Sequence, residues 1–293
     1  MNKLNKKDNF FRSAVHVIFA IAALSCIVPM ILLVIISFSS KNSVVEVGYS
    51  FFPTSLSTEA YDYLFKHPKA IVDSYGVTLL VTVVGTTLSL LFTSMLSFVL
   101  SRPDYRYARQ MGFIVFFAML FHAGLIPTYI LYTNYYGLKD SIWVLILPGV
   151  ISTWNVILLR TFFFDTPLEV LEAATIDGGS EFTLYWRIMM PMSTPALATI
   201  GLVTALGFWN QWQTSMIYID TQSKYMLQYL LYKILKQAEI LREEAMMGMT
   251  TEEFPSDTIK MAMAVIAAGP MMFVFPFFQK YFVRGIASGA VKG

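Results

Sequence analysis

The sequence predicts an all-α integral membrane protein with six transmembrane helices, on three observations. Of its 293 residues, 56% are hydrophobic and only 14% charged, with a mean hydropathy of +0.59, whereas a soluble domain carries about 25% charged residues. Six segments, 14–38, 71–100, 111–133, 141–162, 195–218 and 260–283, are apolar enough to cross a bilayer, a crossing that takes roughly 20 residues. Basic residues gather in the segments that six crossings would leave on one side.

The first span, Ala14 to Phe38, follows Lys3, Lys6, Lys7 and Arg12. It is longer than the ~7–15-residue core of a signal peptide, and no small-x-small cleavage site follows it, so a retained helix is expected. Cys26, the single cysteine, lies within it and can form neither a disulfide framework nor a thiolate metal site. Residues 1–70 comprise the tail, this span and an outer connector with a short helix opened by Thr58 and Glu59. Residues 71–293 carry the other five spans, without a fixed-period repeat or a linker.

The loop Ser101 to Gln110 carries Arg102, Arg106 and Arg109, and the C-terminal region carries Lys280, Arg284 and Lys292. With the basic N-terminus, these predict a multi-pass plasma-membrane protein with both termini in the cytoplasm. A net charge of +2 and no basic patch interleaved with aromatics exclude nucleic acid as a partner. The sequence has no HExxH, no Gly-x-Ser-x-Gly and no phosphate-cradling loop with its lysine, so an enzyme, a metal site and an ATP site all lack their residues. The span interiors hold almost no ionisable groups, His122 in the third span being the main exception.

Between spans four and five lies a polar insert, Thr166 to Pro191, reading TPLEVLEAATIDGGSEFTLYWRIMMP. Thr166, Pro167 and Glu169 predict a helix opened by a capping box with proline at its first position. Gly178 and Gly179 after Asp177 supply a sharp turn. Ser180 caps a second helix from Glu181 to about Met189, and Pro191 is expected to end it. By the charge pattern this insert is cytoplasmic.

Glu172, Ala173, Ala174, Gly178, Ile188 and Pro191 fall at the spacing EAA-x3-G-x9-I-x-x-P. This resembles the EAA signature of the membrane-spanning permease subunits of ABC importers, with Met190 where the family usually has leucine, a volume-conserving change. Over residues 71–293 the chain most resembles the carbohydrate-uptake, maltose-type branch. The resemblance implies a type I importer permease fold, a second homologous permease subunit, two ATP-binding subunits that carry ATP and Mg, and an extracytoplasmic sugar-binding protein. It makes Glu172, Ala173, Ala174, Asp177, Gly178, Ile188 and Pro191 the coupling contact with the ATP-binding subunit. It also makes the small-residue tail, with Gly289, Val291, Lys292 and Gly293, a contact between those subunits. No cofactor is expected in this chain.

The fifth span ends in Trp209, Asn210, Gln211, Trp212 and Gln213. On a continuous helix Trp209 and Gln213 stand one turn apart, and a flat apolar ring beside neutral amides suits the C–H face and hydroxyls of a neutral sugar. Trp209, Asn210, Trp212 and Gln213 are therefore candidate substrate-path residues, with helix packing or an interfacial belt as the competing role. In the loop 219–259, Leu227, Leu231, Ile234, Ala238, Leu241 and Ala245 form one apolar stripe on a helix otherwise bearing Lys233, Lys236, Glu239, Arg242, Glu243 and Glu244. That helix is too charged to cross a bilayer, and serves as a lid or a docking element. Together these features predict an importer permease for a sugar or oligosaccharide, with a stand-alone secondary transporter as the alternative. The alternative needs a coupling-ion site, and the spans offer no acidic cluster to make one.

Overall fold

The computed structural model describes residues 2–66, 68–247 and 256–290. Among these no β-strand forms, and one isolated antiparallel bridge pairs Ser39 with Leu56. The helices are α1 (Asn2–Ser37), α2 (Lys41–Val47), α3 (Glu59–Leu64), α4 (Pro68–Ser101), α5 (Ala108–Leu120), α6 (Leu125–Ile130), α7 (Ile142–Ile146), α8 (Thr153–Phe164), α9 (Leu168–Ile176), α10 (Glu181–Thr183), α11 (Met190–Met192), α12 (Thr194–Trp209), α13 (Gln213–Tyr218), α14 (Leu227–Met246) and α15 (Ser256–Ala290). A π-helical turn, Leu131–Tyr135, extends α6; a 3-10 turn, Leu147–Gly149, extends α7; a second π-helical turn, Leu184–Met189, joins α10 to α11.

Three stretches are straight, long and apolar enough to span a membrane: Phe11–Ser37, Pro68–Ser101 and Asp257–Val274. Three more crossings are bent pairs: Ala108–Leu120 with Leu125–Tyr135 at 113°, Ile142–Gly149 with Thr153–Phe164 at 45°, and Glu181–Met192 with Thr194–Trp209 at 79°. Six spans result, four of them where the sequence put them and two altered. The fifth apolar helix stops at Trp209 rather than continuing to 218, and His122 sits exposed in the non-helical break between α5 and α6, not inside a helix. Gly124, at φ +85, supplies the backbone conformation for that break.

The chain forms two compact units, Met1–Pro68 with Lys233–Gly269, and Lys69–Tyr232 with Pro270–Gly293. In the first, the end of α1 is tied to the segment before α3. Phe38 stacks on Tyr61 at 4.7 Å, the Ser37 and Tyr61 hydroxyls lie 2.8 Å apart, and the Ser57 amide donates to the Phe38 carbonyl. Ser40 caps α2 by accepting from the Ser43 amide. Apolar residues of α1 such as Ile18, Phe19 and Ile21 remain more than 60% exposed, as a helix bathed in lipid requires.

The second unit is built on α4. Its buried face is a ladder of small polar residues, Ser74, Thr78, Thr82, Ser89, Thr93, Ser94 and Ser97, and small side chains let neighbouring membrane helices approach closely. Thr78 accepts from the Leu227 amide, the Ser94 and Tyr185 hydroxyls lie 2.6 Å apart, and Ser97 donates to the Val156 carbonyl. One apolar cluster gathers Val81, Val144, Leu145, Ile146, Phe208, Tyr218 and Met226; another gathers Phe98, Leu159, Phe163, Leu171, Leu184, Tyr185 and Met189. Helix α14 forms where the stripe predicted it. Leu227 and Leu231 are buried, Ile234 is half-buried, and Lys236 pairs with Glu239 at 2.8 Å. The side chains of Ala238, Leu241, Arg242 and Ala245 lie outside the described residues.

The turn after α13 is held by one carboxylate. Asp140, at φ +54, accepts from the Asp220 and Thr221 amides, the Thr221 hydroxyl and the Lys224 ammonium. The Thr221 hydroxyl and amide, then Lys224, hold this carboxyl well below the usual carboxylate range. A carboxyl depressed by folding contributes stability that is present above its unfolded value of about 4 and is lost as pH falls below that value toward the folded one. Asp140→Asn is therefore expected to raise protease cleavage between residues 219 and 226 in detergent-solubilised protein, and acidification of the wild type below about pH 4 is expected to do the same. Unchanged cleavage in both would remove the clamp from this carboxylate.

Candidate functional site

The insert after the fourth span folds as two helices with a locked turn. The Gly178 amide donates to the Thr175 carbonyl and the Gly179 amide to the Ala174 carbonyl, the paired bonds of a Schellman stop. Gly178 adopts φ +83, and a Cβ on Gly179 would lie 2.7 Å from the Ala174 carbonyl oxygen, so both positions require glycine for different reasons. Ser180 caps α10 by accepting from the Thr183 amide, as the sequence indicates. Two expectations are corrected. Thr166 does not cap: Pro167 itself occupies the cap position, and the Thr166 hydroxyl turns to the sulfur of buried Met189. Pro191 does not end the second helix. The wide π-helical turn at Leu184–Met189 shifts the hydrogen-bond register just ahead of it, which relieves the clash a proline ring makes with the carbonyl four residues back. The helix then runs on to Met192 and bends at Ser193.

Glu172, Ala173, Asp177 and Gly178 are exposed on one edge of the turn, Ala174 is half-buried, Ile188 packs against the second cluster, and Pro191 is exposed. Glu172, Leu168, Thr175 and Ile176 form one wall of a groove of about 440 Å³ whose other wall is Arg102, Pro103 and Asp104. Arg102 grips Asp104 with two bonds of 2.9 Å and reaches Glu181 at 3.0 Å, which fastens the 101–110 loop to the start of α10. In the sequence Arg102 marks only the side on which its loop lies. A fork of donors matching two carboxylates is visible only once the loops meet. Ile176 at 86% and Phe182 at 69% exposure leave apolar surface at the turn. Gly289 lies in the last turn of α15, whereas Val291, Lys292 and Gly293 lie outside the described residues.

The polar cluster at the end of α12 is a helix break. Asn210 caps α12, its amide and its Nδ2 both donating to the Leu206 carbonyl, and its Oδ1 accepts from Gln228. Gln213 starts α13, so Trp209 and Gln213 do not share a face of one continuous helix as the spacing suggested. Asn210, Gln211, Trp212 and Gln213 line an open cavity of about 620 Å³, whose other walls include Pro148, Gly149, Trp154, Asn155, Thr204 and Phe208. Trp209 points elsewhere: it is buried, with its ring 6.3 Å from that of Tyr75. Trp212 stacks on Tyr232 at 4.7 Å, and Asn155 donates to the Thr204 hydroxyl. No charged side chain lines the cavity. Among the described residues, no three of His, Cys, Asp or Glu converge as metal ligands.

No protein-family model matches the chain. The polygalacturonan/rhamnogalacturonan transport system permease protein YtcP of Bacillus subtilis is 36% identical over 287 residues, covering 98% of this chain and 100% of that one. The chain belongs to the permease subunits of carbohydrate-uptake ABC importers. Protein LplC of Bacillus subtilis is 37% identical over 270 residues, covering 91% of this chain and 90% of that one. The fold agrees with a chain in the crystal structure of a bacterial ABC transporter involved in the import of the acidic polysaccharide alginate, with a TM-score of 0.80 and 30% identity over 94% of this chain and 98% of that one. This permease subunit is thus a multi-pass plasma-membrane protein that works in a transporter complex, and hydrolysis is left to separate ATP-binding subunits.

Substituting Gly178 with valine is expected to cost roughly 1–2 kcal/mol through the left-handed backbone alone. In a chain of this size that corresponds to a fall of about 2–8 °C in the thermal midpoint of the detergent-solubilised permease subunit. Gly179→Ala, by forcing the Ala174 carbonyl out of the turn, is expected to act in the same direction. A midpoint unchanged in both variants would show that the turn is not held as described.

Proposed function

We propose that this permease subunit passes an oligosaccharide through the cavity at the α12–α13 break. The observation that carries the reading is the chemistry of that cavity: amides from Asn210, Gln211, Gln213 and Asn155 and indoles from Trp212 and Trp154, without a charge. Indole faces suit the C–H faces of sugar rings, and amides can both give and take hydrogen bonds with hydroxyls. Trp209, buried against Tyr75, acts as a support for the wall rather than as a contact. The relative that serves polygalacturonan and rhamnogalacturonan and the neighbour that serves alginate support a uronate-containing saccharide. The cavity here then meets ring faces and hydroxyls, and the carboxylates face the other half of the pore.

That other half is a second, homologous permease subunit. Two ATP-binding subunits, which hold ATP and Mg, sit under the insert, and an extracytoplasmic binding protein delivers the saccharide to the side bearing α14. Both termini, the 101–110 loop and the 166–191 insert face the cytoplasm. Glu172, Ala173, Ala174, Asp177 and Gly178 form the contact surface, with Ile188 and Pro191 anchoring it to the spans. The tail from Gly289 to Gly293 reaches the ATP-binding subunits.

Uptake of labelled oligogalacturonate and of a neutral malto-oligosaccharide into vesicles carrying the assembled importer, with and without ATP, tests the substrate and the energy source together. Alanine at Asn210, Trp212 or Gln213 is expected to lower ATP-dependent uptake about tenfold, the worth of one or two lost hydrogen bonds or a stacking face, while leaving assembly intact. Glu172→Ala is expected to abolish uptake with the subunit still inserted. Full uptake by the three cavity variants would return these residues to helix packing. Impermeant labelling of a cysteine placed at Glu243 from outside, and at Gly293 only after permeabilisation, checks the orientation.

A further inference from the structure

The ring of Phe208 occupies space that two glycines leave open. A Cβ on Gly85 of α4 would lie 2.7 to 2.9 Å from three atoms of that ring, and one on Gly149 would lie 2.8 to 2.9 Å from two. No side chain larger than hydrogen fits at either position while the ring is there. Phe208 is itself only 4% exposed, yet together with Gly149 it forms part of the cavity wall. The ring is the partition between the cavity and α4.

The face of α4 behind this partition is unusual within the chain. Thr82, Thr86, Ser89 and Thr93 follow one another at helical spacings of four, three and four on one side, and Gly85 lies three residues after Thr82 and four before Ser89. Threonine in a membrane helix ordinarily returns its hydroxyl to the carbonyl four residues back, and Thr78, Thr87, Thr161 and Thr199 do so here. The hydroxyls of Thr82, Thr86 and Thr93 are buried and have no partner, although Thr82 is 6% and Thr93 0% exposed. A buried hydroxyl without a partner is costly, and three on one helix face call for a partner that comes and goes.

We propose that Phe208 is a side-chain gate, and that the hydroxyl face of α4 behind it, Thr82, Thr86 and Thr93, is the next section of the saccharide's route. The ring swings off Gly85 during the transport cycle. A hydroxyl both gives and accepts one hydrogen bond or more, so a column of threonines matches a polyhydroxylated solute passing along it and holds no ion. The position of the ring favours movement. Gly207 precedes it with open space at its own Cβ position, and α12 ends one residue after it, so the ring sits in the last turn of the helix, beside the break. The proposal rests on the reading of the cavity as the saccharide path, and goes beyond it by naming where the path leads and what closes it.

The test uses the assembled importer in vesicles with Cys26→Ser and a reporter cysteine, Thr82→Cys, exposed to a small water-soluble thiol reagent. A closed gate is a state in which the open form is a minor population. Labelling is therefore expected to be slow at rest and about tenfold faster during ATP-driven uptake of oligogalacturonate. With Phe208→Ala it is expected to be fast in both conditions. Thr87→Cys, on the opposite exposed face of α4, is expected to show no change with turnover. If Thr82→Cys does not assemble, Thr86→Cys reports the same face. Equal labelling at rest and during uptake, in a complex that demonstrably imports the saccharide, overturns the gate and leaves the importer reading standing. Absence of any ATP-dependent saccharide uptake by the parent complex overturns the reading of the cavity instead.

Discussion

Inside a bilayer a backbone amide or carbonyl has no water to bond, so every interruption of a helix has to carry its own partners. The interruptions in this permease subunit are built to that rule. Where α12 stops, Asn210 returns both its amide and its side chain to Leu206 and is itself held by Gln228. Where α7 gives way to α8, Ser152 accepts from the Asn155 amide. Ahead of Pro191 a π-helical turn moves the register rather than leaving the helix broken. A break so satisfied can sit at membrane depth, and non-helical backbone at that depth is tolerated where it lines a cavity. The break beside the cavity and the Asn210 amide in its lining thus answer to one requirement.

The same requirement explains α4. A helix surrounded by others on one side has to come close, and serine, threonine and glycine permit it. Most of its hydroxyls are absorbed: Thr78 holds the start of α14 by the Leu227 amide, Ser94 meets Tyr185, and Ser97 meets the Val156 carbonyl. Those bonds run from one apolar cluster to the other and fix α4 as the element on which both are assembled. Of the unabsorbed hydroxyls, Ser74 precedes these ties, whereas Thr82, Thr86 and Thr93 fall between them, on the stretch of α4 where Gly85 meets the ring of Phe208.

Features that depend on local chain chemistry were legible in the sequence, and features that depend on chain meeting chain were not. Four of the six apolar runs, the Gly178 turn, the Ser180 cap and the charged helix from Leu227 onward each follow from spacing within a few residues, and each is found. Thr166 and Pro191 went differently because tertiary context competed: the Thr166 hydroxyl has Met189 beside it, and the proline clash was relieved by a register shift that no propensity scale anticipates. The cluster at 209–213 was recognised as polar but assigned to one helix face, because a hydropathy window does not register a single-residue helix stop inside an apolar run. Phe208, Gly85 and Gly149 were invisible, since one aromatic and two glycines in three separate spans carry no shared pattern until the spans pack.

The 166–191 insert is held by its own set of contacts. Gly178 and Gly179 lock its turn, and the second helix is rooted in the core by Leu184, Tyr185 and Met189, all nearly fully buried. Arg102 fastens the neighbouring loop to Glu181 on the same helix. Exposed ion pairs are worth little singly, about 0–1 kcal/mol, yet a two-carboxylate grip by one guanidinium fixes orientation more than it adds stability. Tyr185, which follows that turn on the second helix, is bonded to Ser94 on α4, the helix that carries Gly85. That helix brings Gly85 against the ring of Phe208, so packed contacts connect the insert to the cavity wall. That continuity of contacts is the physical basis of the coupling proposed for the insert.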